Sequence, residues 1–542
     1  MLREFIDRLE NMPQKALANG LSANINKPLV SVICATNGFS VGSAGIDRVA
    51  GKVCEGIIAA GGTPKRFTLP ATDTISAYGT DAAKYDLPSR DFTADAVELT
   101  CSAEFYDGIV FVVSQSNVAW GMLLGAIRMN LPCMFVSVGT MSPLLFENKQ
   151  YGYDLLYKQI GLVKTGKTPY DKIHELEALY PLVPGTDCNS YDENSFHCLA
   201  ESFGLAVKGN GTAPAGTFER DNIAFGTGNA IIELVKQRCT PRRLVTTASI
   251  NNAIMLDLAC GGSTTALINL IALAKTLALK NVSIKTIGQI AESAKQLAQK
   301  QNNTAFMQEF HKAGGVYAVL KNLYVAGKVK TDCQIDGERT IEQALADERE
   351  IDNNVITKWN DQAASTSIKV LYGNVAESGC IARIPAGMPA FCGKVKVYES
   401  EAFAVEAILH REISDGEVIV IRGEGPKSAP GMPKIFYSQA LLEGMDITNV
   451  AVITDGNISD VYNGISVGCI TPESGEQCLF SVLQDGDKIE IGKKGKITCE
   501  IKTKDVATRL RNMQSSIGNY SNAYLKRWSK LCATAIDGCI IK

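Results

Sequence analysis

Cysteine and histidine are the residue types best able to bind a metal or act as a nucleophile, and the chain has sixteen of the first and four of the second. Their spacing supports neither use. No Cys-x-x-Cys pair occurs, and most cysteines stand inside apolar runs, as Cys34 does in SVICAT, Cys133 in LPCMFVS and Cys469 in ISVGCIT. A free thiol in such a run behaves as a small buried hydrophobe. His174, His197, His311 and His410 do not have zinc-ligand spacing. Gly38-Phe39-Ser40-Val41-Gly42 follows a predicted strand and fits a nucleophile elbow. A hydrolase would also need a later acid and histidine in polar loops, and His410 sits in the helical stretch AFAVEAILHRE. The glycine-rich loops Gly209–Thr212 and Gly423–Lys427 complete neither a dinucleotide nor a phosphate-loop pattern, and read as tight turns. Asp192, Glu193 and Glu104 read as solvated or capping carboxylates.

Composition narrows the field. At 542 residues, with 46% hydrophobic and 20% charged residues, the chain can bury more than one core. A net charge of -3, with no basic run or stripe, argues against a nucleic-acid partner. Met1 to Gly20 carries Arg3, Glu4, Asp7, Arg8 and Glu10 among apolar positions at helical spacing, which predicts an amphipathic helix and not an export signal. No run has the length of a membrane span. The expectation is a soluble, cytoplasmic protein with reduced thiols.

These residues must be positioned by alternating elements. From about Lys27 to Val329, short β-branched runs (LVSVICAT, GIVFVV, PCMFVSVG) alternate with longer helical stretches, which predicts an α/β domain with a helix-covered parallel sheet. Ligands on such sheets sit in the loops after the strands. A charged segment, about 331 to 365, reads as a linker region. Beyond it come the short runs SIKVLYG, KVKVYES, EVIVIRG and VAVITDG. LQDGDKIEIGKKGKITCEI follows, its Asp485-Gly486 and Lys494-Gly495 marking hairpin turns. The expected domains are an α/β domain over 1–350 and a smaller β-rich, barrel-like domain over 366–542 that ends in a helix.

Several segments, in order, carry a specific resemblance. EGIIAAGGTP, YDLPSR, YDGIVFVV and GMLLGAIRMNLPCMFVSVG lie in the first half, followed by CLAESFGLAVKGNGT and NAIMLDLACGGST. GNVAESG, VIRGEGPKSAPGMP, ITDGNIS and ISVGCITPE lie in the second. Together they make the chain resemble the dihydroxy-acid/phosphogluconate dehydratase family from about Lys27 onward. The resemblance implies a parallel-sheet α/β domain joined to a β-barrel-like domain, usually as a homodimer, with the active site between domains. It implies loss of water from a 2,3-dihydroxy acid or sugar acid to give a 2-keto acid. An iron–sulfur cluster, a magnesium ion and a serine base supply the family's chemistry.

Placed on this sequence, the family's cluster cysteines fall on Gly42, Gln115 and Asp187, with Cys188 one residue away. Its magnesium ligands fall on Asp81, Ser116, Asn117 and Lys434, and its base serine is retained as Ser459. Thiolates and anionic oxygens are what these centres need. The substitutions therefore lead to the expectation of no metal and no cofactor. Lys434 is expected to supply positive charge to a small anionic hydroxy acid, or, if desolvated, to act as a low-pKa or Schiff-base amine. Ser459 beside it is expected to abstract a proton. Asp81, Gln115, Ser116, Asn117 and Asp187 would line the same pocket. Lys427 joins them, because the family's Gly423–Lys427 loop borders its active site and can hold an anion through backbone N–H groups. The leading expectation is a cofactor-independent lyase. The alternatives are a non-catalytic small-molecule-binding or partner subunit, and an unmodified dehydratase with its usual cofactors.

Overall fold

The computed structural model describes residues 27–541 apart from 38–40, 74–76, 153, 180–183, 300–305, 429 and 514–521. The helix expected over Met1–Gly20, and the first residues of the Gly38–Gly42 loop, lie outside the described residues.

The first half builds a four-stranded parallel sheet from β1 (Leu29–Thr36), β2 (Thr63–Pro70), β3 (Gly108–Val112) and β4 (Cys133–Val136), in the order β2-β1-β3-β4. The runs LVSVICAT and GIVFV are buried almost throughout, as strands covered on both faces must be. Helices follow the first three strands: α1 (Ile46–Ala59), α2 (Asp86–Ala103) and α3 (Ser116–Met129). Farther along come α4 (Tyr191–Ser202), α5 (Phe218–Lys236), α6 (Thr247–Ala259) and α7 (Thr264–Thr276), the last two buried nearly all round. Close helix approach needs glycine: a Cβ at Gly121 of α3 would sit 2.2 Å from the Arg90 carbonyl oxygen of α2.

Residues 331–365 do not form a free linker. Ile341, Leu345 and Ile356 are fully buried in the main core. The charge run had masked apolar residues spaced to pin the segment down.

The second half is an eight-stranded, nearly closed sheet. Its strands are β5 (Ile368–Gly373), β6 (Ala376–Arg383), β7 (Phe391–Tyr398), β8 (Glu417–Ile421), β10 (Ala451–Thr454), β12 (Ile465–Thr471), β13 (Lys488–Ile491) and β14 (Ile497–Cys499). The order is β14-β13-β7-β8-β10-β12-β6-β5, and a bridge from Tyr372 to Lys496 brings the two edges together. A separate two-residue pair, β9 (Lys434–Ile435) and β11 (Asn457–Ile458), lies beside it. The expected hairpin is present, with Ile489 opposite Cys499. The four central strands, β7-β8-β10-β12, are parallel. Val418, Val420, Ala451 and Ile453 point into the barrel core, while Ile419, Ile421 and Val452 pack outward against α8 (Glu401–Leu409) and α9 (Tyr437–Gly444). Strands with two apolar faces need helices outside them. The terminal helices are α10 (Thr503–Asn512) and α11 (Ala523–Leu531), and Trp528 of α11 donates to Asp91 of α2 at 2.9 Å.

Candidate functional site

Lys434 opens β9, and its strand pairs in parallel with β11, with Lys434 opposite Asn457. Ser459 follows β11 directly, so it leaves the strand that pairs with the one carrying Lys434. The Lys434 side chain is only 6% exposed. Its Nζ donates to Asp192 Oδ2 at 2.7 Å and to Glu193 Oε1 at 2.8 Å. Both carboxylates stand in the first turn of α4, which Ser190 caps through the Glu193 N–H. A helix N-terminus favours negative charge there. Tyr78 Oη donates to the same Glu193 Oε1 at 2.5 Å, and its ring stacks on Phe436 at 4.5 Å between centroids. Behind Asp192, Ser263 donates its hydroxyl to Asp192 Oδ1 and its backbone N–H to Asp257 Oδ2, the latter at 2.9 Å.

Burial alone would lower the Lys434 ammonium, but Asp192 and Glu193 outweigh it and hold the group well above its ordinary value. This corrects two expectations. Lys434 is not a low-pKa or Schiff-base amine, and its charge is answered by two carboxylates of the chain, not held open for a substrate anion. Burial also lifts the Tyr78 hydroxyl well above its usual range, and Glu193 adds to the rise. Asp257 is pushed up to about 8, chiefly by burial, against the lowering effect of the Ser263 N–H.

Glu193 is a candidate site residue that sequence reasoning left as a solvated or capping carboxylate. Tyr78 and Lys434 both bond to Oε1, while Oε2 accepts no hydrogen bond among the described residues. The side chain is 15% exposed, and it lines a small cavity with Gly42, Asp73, Ser114, Gln115 and Thr186. The sequence signal was available in Ser190-x-x-Glu193, a capping pattern, but the pattern does not reveal that a lysine 241 residues away turns the carboxylate inward.

The other expected site residues divide. Gln115 reaches the same cavity and donates to Ser43 Oγ at 3.0 Å. Ser116 is buried at the start of α3, and its hydroxyl has no partner among the described residues. Asp187 is buried beside the Gly152 backbone and accepts the Asn189 N–H at 2.8 Å. Asn117 instead belongs to an interior network: it donates to Asp86 at 2.6 Å and accepts from Asn269, which accepts in turn from Arg90. Asp81 points outward, its side chain 93% exposed and paired with Lys84. Lys427 pairs with Glu476 at 3.0 Å. The N–H groups of Lys427 and Ser428 are already taken by Glu473 Oε2, at 2.9 and 2.8 Å. The Gly423–Lys427 loop therefore cradles an internal carboxylate with the donors expected to face a ligand. Asn117, Asp81 and Lys427 do not join Lys434.

Ser459 is 2% exposed, and its hydroxyl donates to Gln439 Oε1 of α9 at 2.7 Å.

The family models for the N-terminal and C-terminal parts of dihydroxy-acid/6-phosphogluconate dehydratases match residues 27–344 and 354–539. The chain belongs to this dehydratase family. It is 33% identical over 527 residues to a dihydroxy-acid dehydratase of Methanococcus vannielii, covering 96% of this chain and 95% of that protein. It is 31% identical to the dihydroxy-acid dehydratases of Caldanaerobacter subterraneus and Pyrococcus abyssi, covering 98% of each chain in both cases. As a member of the family, the protein is a lyase. Among the described residues, no helix is long and apolar enough to cross a membrane.

Membership overturns the expectation of a cofactor-free chain, because this is a family that uses an iron–sulfur cluster and magnesium. The residues at the expected positions do not fit a cluster held by three thiolates. Gly42, Gln115 and Asp187 carry no sulfur, and the Cys188 thiol donates to the Tyr151 carbonyl at 3.6 Å. Asp73 and Glu193 do bring carboxylates to the cavity, oxygen donors of the kind magnesium prefers. Among the described residues, however, no group of three or more His, Cys, Asp or Glu is placed to hold a metal ion.

Proposed function

We propose that this dehydratase-family lyase removes water from a small 2,3-dihydroxy carboxylate or sugar acid, leaving a 2-keto acid. The observation that carries the reading is the β9–β11 pair, which sets Ser459 beside the strand whose lysine holds Glu193 at the cavity. Ser459 Oγ takes the proton from carbon 2. Glu193 Oε2 accepts a substrate hydroxyl, and Gln115 supplies an amide in the same cavity, with Ser116 next to Gln115 in the chain and Asp187 next to the cavity residue Thr186. Lys434 contributes indirectly, by holding Glu193 through Oε1 and so aiming its side chain. Dihydroxy-acid dehydratases among the relatives, at 33% and 31% identity, support the substrate class. The reading includes a homodimer, as the family resemblance implies.

A second reading makes Glu193 itself the proton acceptor, and an Oε2 without a partner among the described residues favours it. The discriminating measurement is exchange of the carbon-2 hydrogen of a panel of 2,3-dihydroxy acids into deuterium oxide, followed by NMR. Ser459→Ala is expected to slow exchange by about a hundredfold or more, and Glu193→Gln chiefly to raise KM. Full exchange in Ser459→Ala with none in Glu193→Gln would transfer the role to Glu193. Ligand binding without exchange by any member would favour the non-catalytic alternative.

A further inference from the structure

Gln439 stands in the first turn of α9, fully buried. Its Oε1 is 2.7 Å from Ser459 Oγ and 3.1 Å from the Ser459 backbone nitrogen. The other end of the amide, Nε2, is 2.7 Å from Ser466 Oγ on β12. A backbone N–H can only donate, so the Gln439 atom facing Ser459 must be the carbonyl oxygen and not the NH2 group. That assignment fixes the serine as well. Two oxygens 2.7 Å apart need a proton between them, and an amide oxygen has none to give. The Ser459 hydroxyl is therefore the donor.

A neutral amide has no basic site for the proton, so its carbonyl can only hold the Ser459 hydroxyl as a donor. When Ser459 loses that proton to water, the alkoxide faces the negative end of the Gln439 carbonyl dipole in a buried setting, where such contacts are strong. The compensating donor is weak: the Val461 N–H, 3.4 Å from Ser459 Oγ. We propose that Gln439 is a positioning residue that holds Ser459 as a hydroxyl donor and sets how readily it becomes the base. The inference rests on the assignment of Ser459 as proton acceptor. In the reaction, the Ser459 O–H bond breaks and its proton passes to water. The alkoxide then takes the carbon-2 proton and leaves the C–H electron pair as a carbanion beside the carboxylate. The carbanion either takes a deuteron back from solvent or forms the carbon-2 to carbon-3 double bond as hydroxide leaves carbon 3. Hydroxide and the first proton make water, Ser459 is a hydroxyl again, and the enol becomes the 2-keto acid.

The test measures carbon-2 exchange of the same dihydroxy-acid panel in deuterium oxide, with the intact purified protein, as a function of pH. Gln439→Met removes the opposing carbonyl at similar length, and Gln439→Glu replaces it with a charge. Exchange at a fixed pH below the basic limb should be about tenfold faster in Gln439→Met and about tenfold slower in Gln439→Glu, a shift of about one unit each way. Faster exchange on removing a buried polar group is not what loss of packing produces. Lower melting temperatures in both variants, with exchange slowed equally or unchanged, would reduce Gln439 to a structural residue and overturn the inference. If Ser459→Ala exchanges like the wild type, the assignment of Ser459 fails and the inference fails with it. If Ser459→Ala is inactive and the Gln439 variants show no opposite shifts, the inference alone fails. No exchange by the wild type on any member would sink both.

Discussion

Burial decides what each charge at this site can do. Lys434 stays an ammonium because two carboxylates outweigh its desolvation, whereas Asp257, without a cation in contact, rises to about 8. The sign of the Asp257 effect can be worked out. A raised folded-state value means that the native state holds its proton more tightly than the unfolded chain, so the stabilisation is complete below the ordinary carboxylate range and is lost as pH climbs toward about 8. Asp257→Asn keeps an acceptor for the Ser263 N–H and cannot ionise. Its melting temperature should therefore fall less between pH 5 and 8 than that of the wild type, by thermal unfolding in matched buffers. Parallel curves would show that Asp257 does not titrate in that window. Tyr78→Phe removes one of two donors to Glu193 Oε1 and should raise KM several-fold in the exchange assay with kcat little changed. An unaltered KM would detach the Tyr78 hydroxyl from ligand binding.

At the scale of elements, the site depends on two short segments that have little hydrogen bonding of their own. The two-residue strands β9 and β11 are held from outside: Thr264 of α7 donates to the Ile458 carbonyl at 2.8 Å, and Asn457 donates to Thr265 at 3.0 Å. The start of α9 lacks a side-chain cap from its own N-cap residue, and Glu401 of α8 serves instead. Its Oε1 accepts the N–H groups of Phe436 and Ser438, at 3.0 and 2.9 Å, and the Ser438 hydroxyl. Glu401→Ala should cost about 1–3 kcal/mol in chemical denaturation and change kcat for exchange in the same direction as Gln439→Met, because Gln439 sits on the loosened turn. A stability loss with kcat intact would separate the helix start from the chemistry. Gly431, before β9, has φ of 115°, and a Cβ there would lie 1.8 Å from the Lys84 carbonyl oxygen. Gly431→Ala should therefore displace Lys434 as well as destabilise the fold.

Across the whole molecule, apolar periodicity made most of the architecture legible, and long-range charge pairing hid the site. Runs such as LVSVICAT and GIVFVV announce buried parallel strands. VIVI and AVIT carry the same apolar signal in the second half, but the sequence reading there went no further than short strands of a β-rich, barrel-like domain, without their parallel order. The parallel strands there are joined through α8, whose stretch AFAVEAILHRE reads as helical in the sequence, and α9, short enough to escape a helical-period reading. Ser459 and Lys434 were visible as motif positions. That Asp192 and Glu193 claim Lys434 was not, because the partners are about 240 residues apart and a first-turn carboxylate looks the same whether it faces water or an ammonium. Thiol chemistry offers a check at this scale. All sixteen cysteines are free, fourteen are buried, Cys54 is half-buried and Cys392 is exposed. A thiol reagent should modify Cys392 first in the native protein and the rest on unfolding, while reductant leaves the melting temperature unchanged. Rapid native reaction of several thiols would mean that the cores are more open than described. The account as a whole turns on the Lys434 ion cluster, and a double-mutant cycle on unfolding free energy, pairing Lys434→Met with Asp192→Asn, tests it most directly. A coupling of about 3 kcal/mol is expected for a buried ion pair; strictly additive losses would mean that the lysine is not bound to α4 and that its charge is free for something else.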